Sequence, residues 1–104
     1  MKMRSLLLSA LVAAALPLAD PRIAIHLAGD STMAPKLEAR RPETGWGEML
    51  DQFFDSSRVR VVNHARNGRS TRTFISEGRW QALLDSMKSG DYVFVQFGHN
   101  DASK

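Results

Sequence analysis

Cysteine is absent from the 104 residues. That excludes disulfide staples, a thiol nucleophile and any cysteine-based zinc site, so the stability of the chain must come from a packed core. Long apolar runs are also scarce. The one candidate, Leu6 to Leu18, is interrupted by Ser9 and is too short to span a bilayer. No internal repeat and no low-complexity tract occurs, which removes solenoids and linker arrays from consideration. A large excess of either charge is missing too: 14 Lys and Arg stand against 11 Asp and Glu, a net +3.

What remains is ordinary globular composition, 43% hydrophobic and 24% charged, in a length that suits one small domain. The first segment reads as an address, not as fold. Lys2 and Arg4 precede the apolar stretch, and Pro17 and Ala19 close it with a small-residue exit. This is the pattern of a secretory signal peptide. Residues 1–19 are expected to be removed on export to the periplasm or medium, leaving no stable membrane insertion. Without Lys2 and Arg4 the balance falls to 12 against 11, or +1. A nucleic-acid partner is therefore not implied. A local cluster persists in Arg58, Arg60, Arg66, Arg69, Arg72 and Arg79. It is read as a solvated face, or as an attraction for an anionic polymer.

Hydrophobic patterning then alternates. Arg22 to Leu27 is a β-rich run that predicts a buried strand. Met33 to Glu43 carries Pro35, Pro42 and scattered charge, and reads as a loop. Trp46, Met49, Leu50, Phe53 and Phe54 recur at helical spacing, with Thr44 as N-cap. Val59 to Asn63 predicts a second strand, and Asn67 to Thr71 a polar turn. Trp80, Leu83, Leu84 and Met87 again have helical spacing, with Gly90 at the C-cap. Tyr92 to Phe97 is a third, almost wholly apolar strand. Strand–helix–strand–helix–strand implies right-handed crossovers and a parallel sheet covered on both faces. Ligands bind such sheets at the carboxyl ends of the strands.

Each strand runs into a polar turn at that edge. Gly29-Asp30-Ser31-Thr32 follows the first, and taken alone it is a weak signal, since small polar residues also make ordinary turns. Gly68 follows the second, where a glycine lets the backbone N–H approach a ligand. Asn100 follows the third, and its amide can donate to an oxyanion. A hydroxyl and two hydrogen-bond donors on one edge are what acyl transfer requires.

These turns carry a resemblance. Gly29-Asp30-Ser31-Thr32, Asn63 to Thr71 and Gly98-His99-Asn100-Asp101 resemble the first three blocks of the SGNH (GDSL-type) hydrolases. Thr44-Gly45-Trp46-Gly47-Glu48, Gly68-Arg69-Ser70 and Glu77-Gly78-Arg79 are most similar to the rhamnogalacturonan acetylesterase branch, carbohydrate esterase family twelve. The resemblance implies a three-layer α/β/α, flavodoxin-like parallel sheet, here limited to about three strands in the order 2-1-3. It implies that Ser31 is the nucleophile and lends its N–H to the oxyanion hole, with Gly68 giving a backbone N–H and Asn100 a side-chain N–H. Asp30 and Thr32 support the turn, and Arg69 and His99 are candidates for substrate contact. No metal and no organic cofactor are required.

The family's Asp-x-x-His block, which supplies the base, occurs nowhere in this sequence. Of the three histidines, His26 reads as a packed strand residue, and neither His64 nor His99 matches the family base. Residues 20–104 are thus expected to be the N-terminal part of a hydrolase domain, inactive by itself, with an open edge on the third strand. For the complete protein the expectation is a serine esterase that removes O-acetyl groups from pectin-type polysaccharide. The alternatives are a lysophospholipase or general acyl-ester hydrolase of the same superfamily, and a non-catalytic flavodoxin-like anion-binding module.

Overall fold

The computed structural model describes residues 19–102. The predicted signal segment lies outside the described residues except for Ala19. Three parallel strands form one sheet in the order β2-β1-β3: β1 is Ile23–Gly29, β2 is Val59–Asn63 and β3 is Tyr92–Gln96. This is the expected strand order. β1 pairs with β2 from Ile23 opposite Val59 to Leu27 opposite Asn63, and with β3 from Ile25 opposite Tyr92 to Gly29 opposite Gln96. The central strand is buried from Ala24 through Gly29, as expected where both neighbours and both faces are occupied.

Alternation along β1 divides the core in two. Ile25 and Leu27 pack with Met33, Ala34 and Ala65, and with the partly buried Leu50, Val59 and Val61. Ala28 faces Phe74 and Leu83, with Trp80, Met87, Val93 and Phe97 around them. That second face is covered by two helices, α1 (Thr71–Ser76) and α2 (Arg79–Ser86).

Three local expectations are corrected. The helix foreseen over Trp46 to Phe54 is two short 3-10 turns, Trp46–Glu48 and Leu50–Phe53. Trp46 N–H and Gly47 N–H donate to the carbonyls of Thr32 and Met33 at 3.0 and 3.1 Å, so the segment is docked on the first loop. Gly47 sits so close that a Cβ there would lie 2.5 Å from the Met33 oxygen. Docking this tight overrides the apolar period, and Phe53 is left 80% exposed. Gly45, not Thr44, is the N-cap of this segment; the Thr44 hydroxyl donates to the Pro42 carbonyl at 2.9 Å.

The second correction is α1, part of which was read as turn. Ser70 caps it reciprocally with Thr73: the Ser70 hydroxyl oxygen accepts from Thr73 N–H at 3.1 Å, and the Thr73 hydroxyl oxygen accepts from Ser70 N–H at 2.8 Å. Third, Gly90 does not cap α2, whose C-cap is Met87. Gly90 adopts φ +90° in the turn before β3, which Asp91 N–H closes onto the Lys88 carbonyl at 3.1 Å.

β3 has no second strand neighbour among the described residues, and its Tyr92 and Val95 are each 59% exposed. Among the described residues no helix is long and apolar enough to cross a membrane.

Candidate active site

Since the strands are parallel, their three carboxyl ends share one edge, and the loops that leave it carry Ser31, Gly68 and Asn100. The loop after β1 is shaped by Asp30, which is buried to 2% exposure. Its carboxylate accepts from Thr32 N–H at 3.0 Å and from the Thr32 hydroxyl at 2.8 Å, while its carbonyl accepts from the N–H groups of Met33 and Ala34. Asp30 thus supports the turn. Ser31 stands at its half-exposed tip. The Gln96 amide oxygen accepts from Trp46 Nε1 at 2.6 Å and lies 3.0 Å from the Thr32 hydroxyl, joining this loop to the end of β3.

The loop after β2 continues the sheet ladder. His64 N–H and Arg66 N–H donate to the carbonyls of Leu27 and Gly29 at 2.9 and 3.1 Å. Asn63 donates to the Met33 carbonyl at 3.0 Å, and its own side-chain oxygen accepts from Ala65 N–H. Gly68 follows at φ +77°, a left-handed conformation that side chains disfavour, with open space where a Cβ would project. The buried Lys36 ammonium donates to the Ser31 carbonyl and, at 2.8 Å, to the Asn67 side-chain oxygen, tying the first loop to the second.

The loop after β3 is tied to the second in turn. The Asn100 amide donates to the Arg69 carbonyl at 3.0 Å. Asp101 accepts from both the N–H and the hydroxyl of Thr71, each at 2.6 Å, which docks the start of α1 on this loop. A depression of 440 Å³ lies here, lined by Ser70, Thr71, Arg72, Asn100 and Asp101. Arg69, a candidate for substrate contact, has its guanidinium held by Glu77 at 2.8 and 3.1 Å. Arg69 and then Arg79 lower the Glu77 carboxyl to about 2. His99 is exposed on the third loop.

A polar chain that the sequence did not announce runs beneath the second face. His26, fully buried, lies 3.1 Å through Nε2 from the Asp91 carboxylate and 3.1 Å through Nδ1 from His64 Nε2; the two rings stack at 5.3 Å. His26 is therefore packed, as expected, and also hydrogen-bonded on both nitrogens. Burial, and then the neighbouring His26, lower the pKa of His64. Lys36, Gln96 and Asp91 were not among the residues the sequence singled out, and none stands in a recognisable spacing; Trp46 entered only as part of an apolar face and of the Thr44–Glu48 block, not as a partner of Gln96. Among the described residues no group of three or more His, Asp or Glu converges as a metal would need.

A parallel α/β sheet with its polar loops gathered at the carboxyl edge, and a serine leading out of the central strand, defines a strand-end-site α/β protein. The chain belongs to the GDSL-like lipase/acylhydrolase family, whose model matches residues 25–104. It is 47% identical over 79 residues to rhamnogalacturonan acetylesterase RhgT of Bacillus subtilis, covering 76% of this chain and 34% of that protein. It is 48% identical over 77 residues to the rhamnogalacturonan acetylesterase of Emericella nidulans, covering 74% and 28%. The crystal structure of protein YxiM from Bacillus subtilis superposes with a TM-score of 0.71 at 34% identity, over 79% of this chain and 23% of that one. The chain therefore spans about a third of the length of the curated relatives it matches. The fold and the branch resemblance drawn from the sequence blocks both hold.

Proposed function

We propose that the intact protein is a serine esterase that removes acetyl groups from hydroxyls of a pectin-type polysaccharide, through an acetyl-enzyme on Ser31. The observation that carries this reading is the cross-tying of three strand-end loops. Lys36 joins the Ser31 turn to Asn67, next to Gly68, and Asn100 joins its own loop to Arg69 on the other side of Gly68. The similarity to proteins named rhamnogalacturonan acetylesterase supports the substrate class.

In the proposed reaction the Ser31 oxygen attacks the acetyl carbonyl carbon, and its proton passes to a general base. The oxyanion is held by the N–H groups of Ser31 and Gly68 and by the Asn100 amide, each worth about 3 kcal/mol in the transition state. The carbon–oxygen bond to the sugar then breaks, and the sugar oxygen takes the proton. Water attacks the acetyl-enzyme and acetate leaves. His26 is committed to Asp91 and His64 beneath the sheet; the reading takes the base to be the histidine of an Asp-x-x-His block outside residues 19–102, without which those residues are expected to be inactive. The reading includes export, with residues 1–19 as the signal, because pectin lies outside the producing cell.

The test is acetate release from acetylated rhamnogalacturonan by the full-length protein. Ser31→Ala is expected to reduce kcat by several orders of magnitude. Release at the wild-type rate by that variant would end the assignment, and preferential release of long-chain fatty acids would redirect it to a lipid substrate.

A further inference from the structure

We propose that Lys36 is a positioning residue for Ser31, holding the peptide that follows the nucleophile in one orientation and setting its distance from the Gly68 loop. The proposal rests on the esterase reading.

Lysine is seldom buried unless paired, yet Lys36 is only 9% exposed. Its ammonium makes no ion pair within 4 Å among the described residues; it donates to two neutral oxygens, the carbonyl of Ser31 and the side chain of Asn67. The explanation lies on the other side of one peptide. The Ser31 carbonyl and the Thr32 N–H belong to the same planar unit. Lys36 holds the oxygen, and the buried Asp30 carboxylate holds the N–H at 3.0 Å. A cation and an anion thus grip one peptide from opposite ends, aligned with its dipole, and each offsets the burial of the other through it. With that plane locked, rotation about the Ser31 backbone is restricted from its carboxyl side, and the nucleophile is presented in a single pose.

The second donation gives the clamp its reach. Asn67 immediately precedes Gly68, the proposed oxyanion donor. One ammonium therefore spans the gap between the nucleophile turn and the hole, two loops that leave different strands. Misplacement of a reacting group by about 1 Å can cost about 10²-fold in rate, so releasing this clamp has a kinetic signature distinct from lost binding.

The experiment uses the full-length enzyme and two readouts, steady-state acetate release and the rate at which a fluorophosphonate labels Ser31. Lys36→Met keeps the stem and removes the donors. It is expected to lower kcat and the labelling rate by about 10- to 10²-fold, with KM within about twofold of wild type and the far-UV circular dichroism retained. Lys36→Arg, which keeps charge and donors, is expected to recover part of the loss. Wild-type kcat and labelling in Lys36→Met would overturn the proposal, as would equal losses in the Arg and Met variants. Should Lys36→Met not fold, Asn67→Ala removes only the far end of the clamp; unchanged kcat in that variant would overturn the proposal, and a fall in kcat at constant KM would support it. Failure of the wild-type enzyme to release acetate or to label at Ser31 would sink the esterase reading itself, an outcome separate from all of these.

Discussion

The side-chain amide of Asn100 donates to the backbone carbonyl of Arg69 at 3.0 Å. An amide has two N–H groups, so this bond orients the side chain and uses one of them; the other is the donor proposed for the oxyanion. In the full-length enzyme Asn100→Ala is expected to reduce kcat by about 10²- to 10³-fold and to alter KM little. Asn100→Asp is expected to be at least as poor, since a carboxylate has no N–H to give and would face the Arg69 carbonyl. Steady-state acetate release measures both, and wild-type kcat in Asn100→Ala would end the proposal that this residue is an oxyanion donor.

Gly47 and Gly68 look alike in sequence, but their replacement has different consequences. A Cβ on Gly47 would lie 2.5 Å from the Met33 carbonyl oxygen, in the loop after β1, and 2.6 Å from Asn63 Nδ2, at the end of β2. Gly47→Ala is expected to cost about 1–3 kcal/mol by overpacking. Gly68 meets no steric obstacle but has φ +77°, so Gly68→Ala is expected to cost about 1–2 kcal/mol of backbone strain. Urea midpoints give the stabilities. Gly47→Ala with an unchanged midpoint would contradict the close docking of the 3-10 segment.

The stacked histidines predict a loss of stability in mild acid. Burial lowers the pKa of His64 from its ordinary 6.5, with a further contribution from His26. The folded state then binds fewer protons than the unfolded state over that interval, so stability rises with pH there. The contribution is complete above pH 6.5 and is lost as pH falls through the folded value. Asp91, held well below the usual carboxylate range first by Lys88, carries stability that is present above 3.8 and lost only in stronger acid. Urea midpoints between pH 5 and 7.5 should therefore fall on acidification, and His64→Gln should flatten that slope. A wild-type slope of zero in this window would refute the assignment.

Phe74 is the main buried residue of the short helix α1, at 1% exposure, and its ring meets Phe97 edge-on at 5.3 Å. Phe74→Ala is expected to cost about 3–5 kcal/mol. Because Phe97 leads directly into Gly98-His99-Asn100, the same substitution should raise amide exchange in the third loop. Thermal melting and hydrogen exchange test the two effects, and exchange unchanged in residues 98–101 would show that the loop is held independently of α1.

The legible part of the fold was the part written in side-chain runs. Ile23 to Leu27, Val59 to Asn63 and Tyr92 to Gln96 are β-rich and bounded by turn residues, and each became a strand. Trp80, Leu83 and Met87 marked α2 correctly. The stretch from Trp46 to Phe54 misled because its period describes only side chains, while its backbone is committed to Thr32 and Met33. The start of α1 was invisible to periodicity, since Phe74 is its one buried residue; the Ser70–Thr73 cap was the available local signal. The three candidate positions Ser31, Gly68 and Asn100 do leave one edge of the sheet. The fate of Arg69 was not legible: Glu77 belongs to the Glu77-Gly78-Arg79 block, but nothing in that block says that its carboxylate pairs with the Arg69 guanidinium.

Taken by itself, the sequence determined the strand succession, the family, and the loops in which the candidate chemistry must reside. All of these are short-range properties, set by hydrophobic runs and by residues adjacent along the chain. Tertiary structure alone decided that Lys36 would be buried against Ser31 and Asn67, that His26 would bridge Asp91 and His64, and that Asn100 would find the Arg69 carbonyl. Those partners lie as much as 65 residues apart. A buried polar group must take whichever partner the packing brings within reach, and no local pattern records which one that is.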